Sequence, residues 1–200
     1  MICFQDNPEI FNLVGYRTSA GAITLATEAV RNAHLLDGID FNYTVTFDEC
    51  DESTAAGHAV DLITNGNIDA IIGPTCNDAA KAVATIASVY NVPVFLWGLT
   101  TSSDFKSVTR YPTTATMATD DYSLALGLIA TLRKFGWRQF VFMYTYDGDS
   151  TKCDSFVDGV QTVISLNTDI SMTTQYQIET ATEDTIRTAM QVLKTKGRSF

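Results

Sequence analysis

The chain has 200 residues, 46% of them hydrophobic, with 13 basic against 23 acidic side chains and a formal net charge of -10. That apolar content is enough for a sizeable core in one large domain or two small ones. The negative surplus repels phosphate backbones and anionic lipid, which argues against nucleic acid and the membrane surface as partners.

The first eight residues, Met1-Ile-Cys-Phe-Gln-Asp-Asn-Pro8, lack the basic start and long apolar centre of an intact signal peptide. An exported form is therefore expected to need a leader outside these residues. Strand-length apolar runs follow at 11–16, 41–47, 69–72, 92–97, 113–117, 139–144 and 170–178. Between them apolar residues recur at three- and four-residue steps, as in Ala56/Ala59/Val60/Ile63, Ala79/Val83/Ile86/Tyr90 and Leu124/Leu128/Leu132/Phe135. The run Val92-Pro-Val-Phe-Leu-Trp97 is apolar throughout, as expected of a strand covered on both faces by helices. Such alternation predicts an α/β fold, with right-handed crossovers and parallel sheets flanked by helices.

The longest uncharged stretch, 82–103, contains Asn91 and Pro93 and changes at Asn91 from a helical to a continuously apolar pattern. It reads as a helix end, a turn and a buried strand rather than a membrane span. From 98 to 112 the chain is polar and irregular, a long connection by ordinary standards. A strand at 113–117 follows, and Ala118-Thr-Asp-Asp-Tyr122 opens a new helix. These features predict a crossing between lobes near 118–121, with a first lobe over 1–119 and a partial second lobe over 120–200.

Enzymatic and nucleotide-binding signatures are missing. No G-x-G and no Gly-Lys-Ser/Thr occurs, so neither the dinucleotide fingerprint nor a P-loop is present. There is no G-x-S-x-G elbow, and the two histidines, His34 and His58, stand in helical patterns without ligands at metal spacing. The stretch Arg17-Thr-Ser-Ala-Gly21 reads either as an anion-binding loop at a helix N-terminus or as an ordinary capped turn. Asp48-Glu49-Cys50-Asp51-Glu52 is either a calcium loop without its glycine or a solvated turn favouring the next helix. Asp147-Gly-Asp149 reads as a turn.

The cysteines are more specific. Cys76 lies where the run Asp69-Ala-Ile-Ile72 passes through Gly73-Pro74 into a helix, and Cys50 closes the run 41–47 in the same way. Two cysteines at the ends of consecutive strands suggest a disulfide across one sheet edge, usual in secreted sensor domains. Closing that loop would contribute about 3.5 kcal/mol. Two buried free thiols are the competing reading. Cys153 could pair beyond Phe200, and Cys3 has no assigned partner. Asn42-Tyr-Thr44 is a glycosylation sequon at the start of a strand candidate, an added sign of export.

Taken together, Asp69-Ala-Ile-Ile-Gly-Pro-Thr-Cys76 with the following helix and Tyr90-Asn-Val-Pro-Val94 resembles the receptor ligand-binding region shared by natriuretic-peptide and metabotropic receptors. Arg110-Tyr-Pro-Thr-Thr-Ala-Thr-Met117, the helix ending Lys134-Phe-Gly-Trp137 and the strand at 139–144 are similar to that family's crossing into its second lobe. The words Phe47-Asp-Glu-Cys-Asp-Glu-Ser-Thr54 and Ile71-Ile-Gly-Pro-Thr-Cys-Asn77 are most similar to nematode receptor-type guanylate cyclases.

The resemblance implies a bilobed, periplasmic-binding-protein-like sensor region with no catalytic residues of its own, on the extracellular side of a plasma-membrane receptor that signals through cyclic GMP. Alternatives are an amino-acid-sensing metabotropic or ionotropic receptor, or an intracellular α/β nucleotide-binding enzyme. No cofactor is expected apart from a chloride. Natriuretic-type members carry one near the Gly-Pro-x-Cys turn, where Thr75 and Cys76 match, while Tyr43 stands in place of the family's serine partner. A small-molecule or peptide ligand is expected outside the carboxyl ends of the strands. The expected cleft residues are Arg17, Thr18, Ser19, Thr100, Thr101 and Ser102, with Tyr144 and Asp147 opposite. The resemblance further implies a homodimer through first-lobe helices, where Ala55, Ala56, Gly57, Ala59, Ala79, Ala80, Ala84 and Ala87 would either allow close approach or pack on the sheet, the second being expected of Ala56 and Ala59.

Overall fold

A computed structural model of the chain describes residues 1–5, 14–145 and 150–196. By contact density these fall into two compact units, one of 1–100 with 104–118 and one of 101–103 with 119 onward.

Unit 1 is built from short parallel strands. β1 (Ile2–Cys3) pairs with β2 (Thr46–Phe47), and β3 (Ile71–Ile72), β4 (Val94–Leu96) and β5 (Thr114–Thr116) form a second ladder in that order. The registers are Ile2↔Thr46, Ile71↔Val94 and Val94↔Thr114, and Ile2, Ile71, Val94 and Leu96 pack in one core with α2 (Glu52–Thr64) and α3 (Asn77–Tyr90). Ile2, Ile71, Val94 and Leu96 are fully buried there with Ala55, Ala59, Ala79, Ala80, Val83, Ala84 and Ala87. Alanines let the two helices approach each other and the strands closely, at low side-chain entropy cost. Asp51 caps α2 by accepting from the Thr54 amide at 2.7 Å, and the Thr54 side chain together with that amide holds its carboxyl below the ordinary range. Asn91 ends α3 in the left-handed conformation, with φ 55°.

The structure corrects three sequence expectations here. Tyr16 does not close a strand over 11–16: it opens α1 (Tyr16–Asn32), while residues 11–13 lie outside the described set. The first strand is β1, defined by its long-range ladder to β2, which no local pattern carries. Of the run 41–47 only Thr46–Phe47 is strand, because residues 41–44 are exposed and have no partner strand among the described residues. Finally, Ala55, Ala79, Ala80, Ala84 and Ala87 are buried against the unit's own core, as is Ala59 in keeping with its expected packing on the sheet, so they cannot form a surface for a second chain.

Unit 2 pairs β6 (Gln139–Thr145) with β7 (Ser171–Ile178) in parallel, with a register shift between Phe140 and Val141. Ala125, Ile129 and Leu132 of α4 (Asp121–Lys134) pack with Val160 and Val163 of α5 (Ser150–Ser165) and with Ile170. α6 (Glu183–Lys196) completes this unit. At its solvent side Arg133 grips Asp169 through two bonds of 2.9 and 2.6 Å, and Arg138 adds a third at 2.8 Å. The Arg133 guanidinium holds the Asp169 carboxyl down at about 2. Among the described residues no helix is long and apolar enough to cross a membrane.

Candidate functional site

In unit 1 the carboxyl ends of β1, β3 and β4 and the start of α1 converge. The Tyr16 amide donates to the Phe4 carbonyl at 3.1 Å, and the Leu99 amide to the Thr75 carbonyl at 2.9 Å. Phe4, Cys76 and Leu99 form a small buried cluster with Val14 and Cys50 against it. Two glycines make this approach possible. Gly73, at φ +97°, has no room for a side chain, since a Cβ would strike the carbonyl oxygen of Ile2. Gly98, at φ +77°, would bring a Cβ to 3.0 Å from Val14 and 3.2 Å from Thr75. Cys50 and Cys76 are joined as a disulfide with Cα atoms 5.5 Å apart, which ties the loop after β2 to the start of α3. Among the described residues neither Cys3 nor Cys153 forms a disulfide; Cys3 is buried in β1, and burial pushes its pKa up to about 11.

The hydroxyls expected to line a ligand site have varied fates. Arg17, Thr18 and Ser19 lie in the first turn of α1 rather than in a strand-to-helix loop, and the Thr18 hydroxyl donates to the Gly15 carbonyl at 3.2 Å. Thr100 is buried and donates to the Trp97 carbonyl at 3.0 Å. Thr101 and Ser102 belong to unit 2, where the Thr101 hydroxyl donates to Asp121 at 3.2 Å and the Ser103 hydroxyl accepts from the Tyr122 amide at 3.0 Å. This strip therefore caps α4, a role invisible in a list of hydroxyl residues. The Tyr144 hydroxyl of unit 2 donates to Asp154 at 3.3 Å and accepts from Gln175 at 3.1 Å. Asp147 lies outside the described residues.

Beside the convergence lie Thr75, which the sequence named only as a chloride candidate, and Trp97, which it did not single out. The Thr75 hydroxyl is fully buried with no hydrogen-bond partner among the described residues, and the Trp97 indole N–H is likewise unpaired. Both sit just past strand ends, at β3 and β4. Asp48, following β2, is also buried, and neither carboxylate oxygen meets a full hydrogen bond. Burial pushes its pKa up to about 6, which the nearby Cys50 amide only partly offsets. Tyr43 is half exposed and its hydroxyl lies 3.3 Å from that of Thr27 on α1. Among the described residues no cluster of histidine, cysteine and carboxylate side chains has metal-binding geometry.

The family model of the receptor family ligand binding region matches residues 18–200. The chain belongs to that family. Its fold is accordingly periplasmic-binding-protein-like, and the parallel strands flanked by helices in each unit agree with it. Among curated proteins, this ligand-binding region is 48% identical to receptor-type guanylate cyclase gcy-14 and 45% identical to receptor-type guanylate cyclase gcy-20, both of Caenorhabditis elegans. Each match covers 97% of this chain and 18% of the relative. A third, receptor-type guanylate cyclase gcy-13 of the same species, is 37% identical over 94% of the chain and 18% of the relative. The chain thus spans less than a fifth of the length of these relatives. Its 200 residues are a receptor's ligand-binding region and not a catalytic domain.

Proposed function

We propose that this region is the extracellular sensor of a receptor-type guanylate cyclase, and that ligand binding here sets the rate at which the whole protein makes cyclic GMP. The observation that carries this reading is the match to receptor-type guanylate cyclases along 97% of the chain. The Cys50–Cys76 disulfide supports an oxidising compartment and weighs against an intracellular enzyme. The ligand is a small polar molecule, met at the carboxyl ends of the strands. In unit 1 the contributing groups are Thr75, Trp97 and the Arg17–Thr18 turn of α1. A chloride by Thr75 and Cys76 would suit the unpaired hydroxyl and the start of α3, although Tyr43 is engaged with α1 instead.

Two chains associate in this reading, through the outer faces of α2 and α3. Gly57, Val60 and Val89 are exposed there, Val89 at 78%, and no side chain stands within 4 Å of a Cβ at Gly57. Twofold contact is the commonest symmetry for such a pair.

The test expresses the full-length chain in animal cells and measures surface biotinylation and cyclic GMP against a panel of small polar solutes. At least one solute is expected to change cyclic GMP, and removal of residues 1–200 to leave basal synthesis but abolish that response. A chain never labelled at the surface, or a solute response that survives the deletion, overturns the proposal.

A further inference from the structure

Past α1 the chain turns and runs back along the helix. The Leu35 amide donates to the Val30 carbonyl at 3.2 Å, Arg31 pairs with Asp40 at 3.2 Å, and Tyr43 reaches Thr27. This returning stretch exposes Leu35, Leu36, Ile39, Phe41 and Tyr43, five large apolar residues within nine positions, the leucine at 35 by 69%. Scattered apolar residues on a surface are ordinary, but a contiguous strip marks something that covers it. Phe41 and Tyr43 stack with ring centroids 6.2 Å apart and planes at 16°. Asn42 stands between these two rings in the chain. Asn42 is exposed, its amide makes no hydrogen bond among the described residues, and Thr44, two positions on, is exposed as well.

We infer that Asn42 carries an N-linked glycan and that this glycan covers the apolar strip of residues 35–43. The inference rests on the extracellular reading, because only the secretory route supplies the donor, a lipid-linked oligosaccharide pyrophosphate. The Asn42 Nδ2 forms a bond to the anomeric carbon of the sugar and gives up one proton to a base of the transferase. The bond from that carbon to the pyrophosphate breaks, and the lipid pyrophosphate leaves with the electron pair. Phe41 and Tyr43 flank the root by about 3.3 Å of chain each, within reach of the first sugar rings. Sugars present C–H faces to aromatic rings and hydroxyls to water, so one glycan both buries the strip and solubilises it.

The experiment uses the full-length receptor from animal cells. Loss of one glycan's mobility step is expected in Asn42→Gln and Thr44→Ala, and retention in Thr44→Ser, which preserves the sequon. Hydroxyl-radical labelling of Leu35, Leu36, Phe41 and Tyr43 is expected to rise severalfold when the folded, unsubstituted receptor is trimmed by a glycosidase, which avoids any folding defect of a variant. A surface-labelled receptor with an unmodified Asn42 overturns this inference and leaves the sensor reading standing. Labelling unchanged by trimming removes the covering role. A receptor that never reaches the surface fails the extracellular reading first and takes this inference with it.

Discussion

α1 and α3 are helices of similar length in the same unit, and they meet opposite fates. α3 buries Asn77, Ala79, Ala80, Val83, Ala84 and Ala87, whereas none of the 17 residues of α1 is buried. Both carry a stripe at helical spacing: in α1 it is Tyr16, Ala20, Ile23, Thr27 and Val30, all half-buried. The difference lies in what each meets. α3 is held between α2 and a three-stranded ladder, and alanines bring its backbone close to both. α1 is fastened by the Tyr16 amide to Phe4, just past β1, and by Thr27 and Arg31 to the returning loop. An amphipathic pattern announces that a helix has an inner face; the neighbouring elements decide how deep that face goes.

The sharpest way to break the contrast is to cut the staple at the start of α3. Cys76→Ser is expected to cost about 3 kcal/mol by releasing the 26-residue separation from Cys50 in the unfolded chain, measured as a lower denaturant midpoint. Next comes Asp48→Asn, read against pH. The folded pKa of Asp48, about 6, lies above the 3.8 of a free carboxyl. The folded state therefore holds a proton that the unfolded state has lost, and stability grows as pH falls through 6 and levels off near 4. The asparagine variant is expected to be more stable at pH 7, by at most about 3 kcal/mol, and to have lost most of that pH dependence in parallel melts at pH 5 and 7. An unchanged slope would show that the carboxylate is solvated.

Overpacking has the same scale on one helix and almost none on the other. Ala84→Leu, at a fully buried position, is expected to destabilise by about 1–3 kcal/mol. The matched change Ala26→Leu, on the exposed side of α1, is expected to stay within about 0.5 kcal/mol. Equal effects in thermal melts of the two variants would erase the distinction between the helices. The smallest effect concerns the exposed Arg133–Asp169–Arg138 group. Asp169→Asn there is expected to lower the midpoint slightly at low salt and not at all at high salt.

Much of the fold was legible in the residues because α/β alternation is a local signal. Periodicity placed α2, α3 and α4, the apolar run at 92–97 contained β4, and the cysteine positions anticipated the disulfide. The first strand was not legible: Ile2–Cys3 is two residues long and earns its place by pairing with Thr46–Phe47, more than forty positions away. The same holds for the hydroxyls at 100–103. By composition they form one polar loop, yet Thr100 closes a turn on Trp97 while Thr101 and Ser103 cap α4.

By itself the sequence determined the class of the fold, its turn at Gly73, and the family to which it belongs, because each is written in short runs of neighbouring residues. Only the tertiary structure decided which alanines are interior, that Asp48 and Thr75 are buried without full hydrogen bonding, and that α1 stays shallow. Burial is a property of the elements that close over a residue, and those come from parts of the chain that local pattern cannot join.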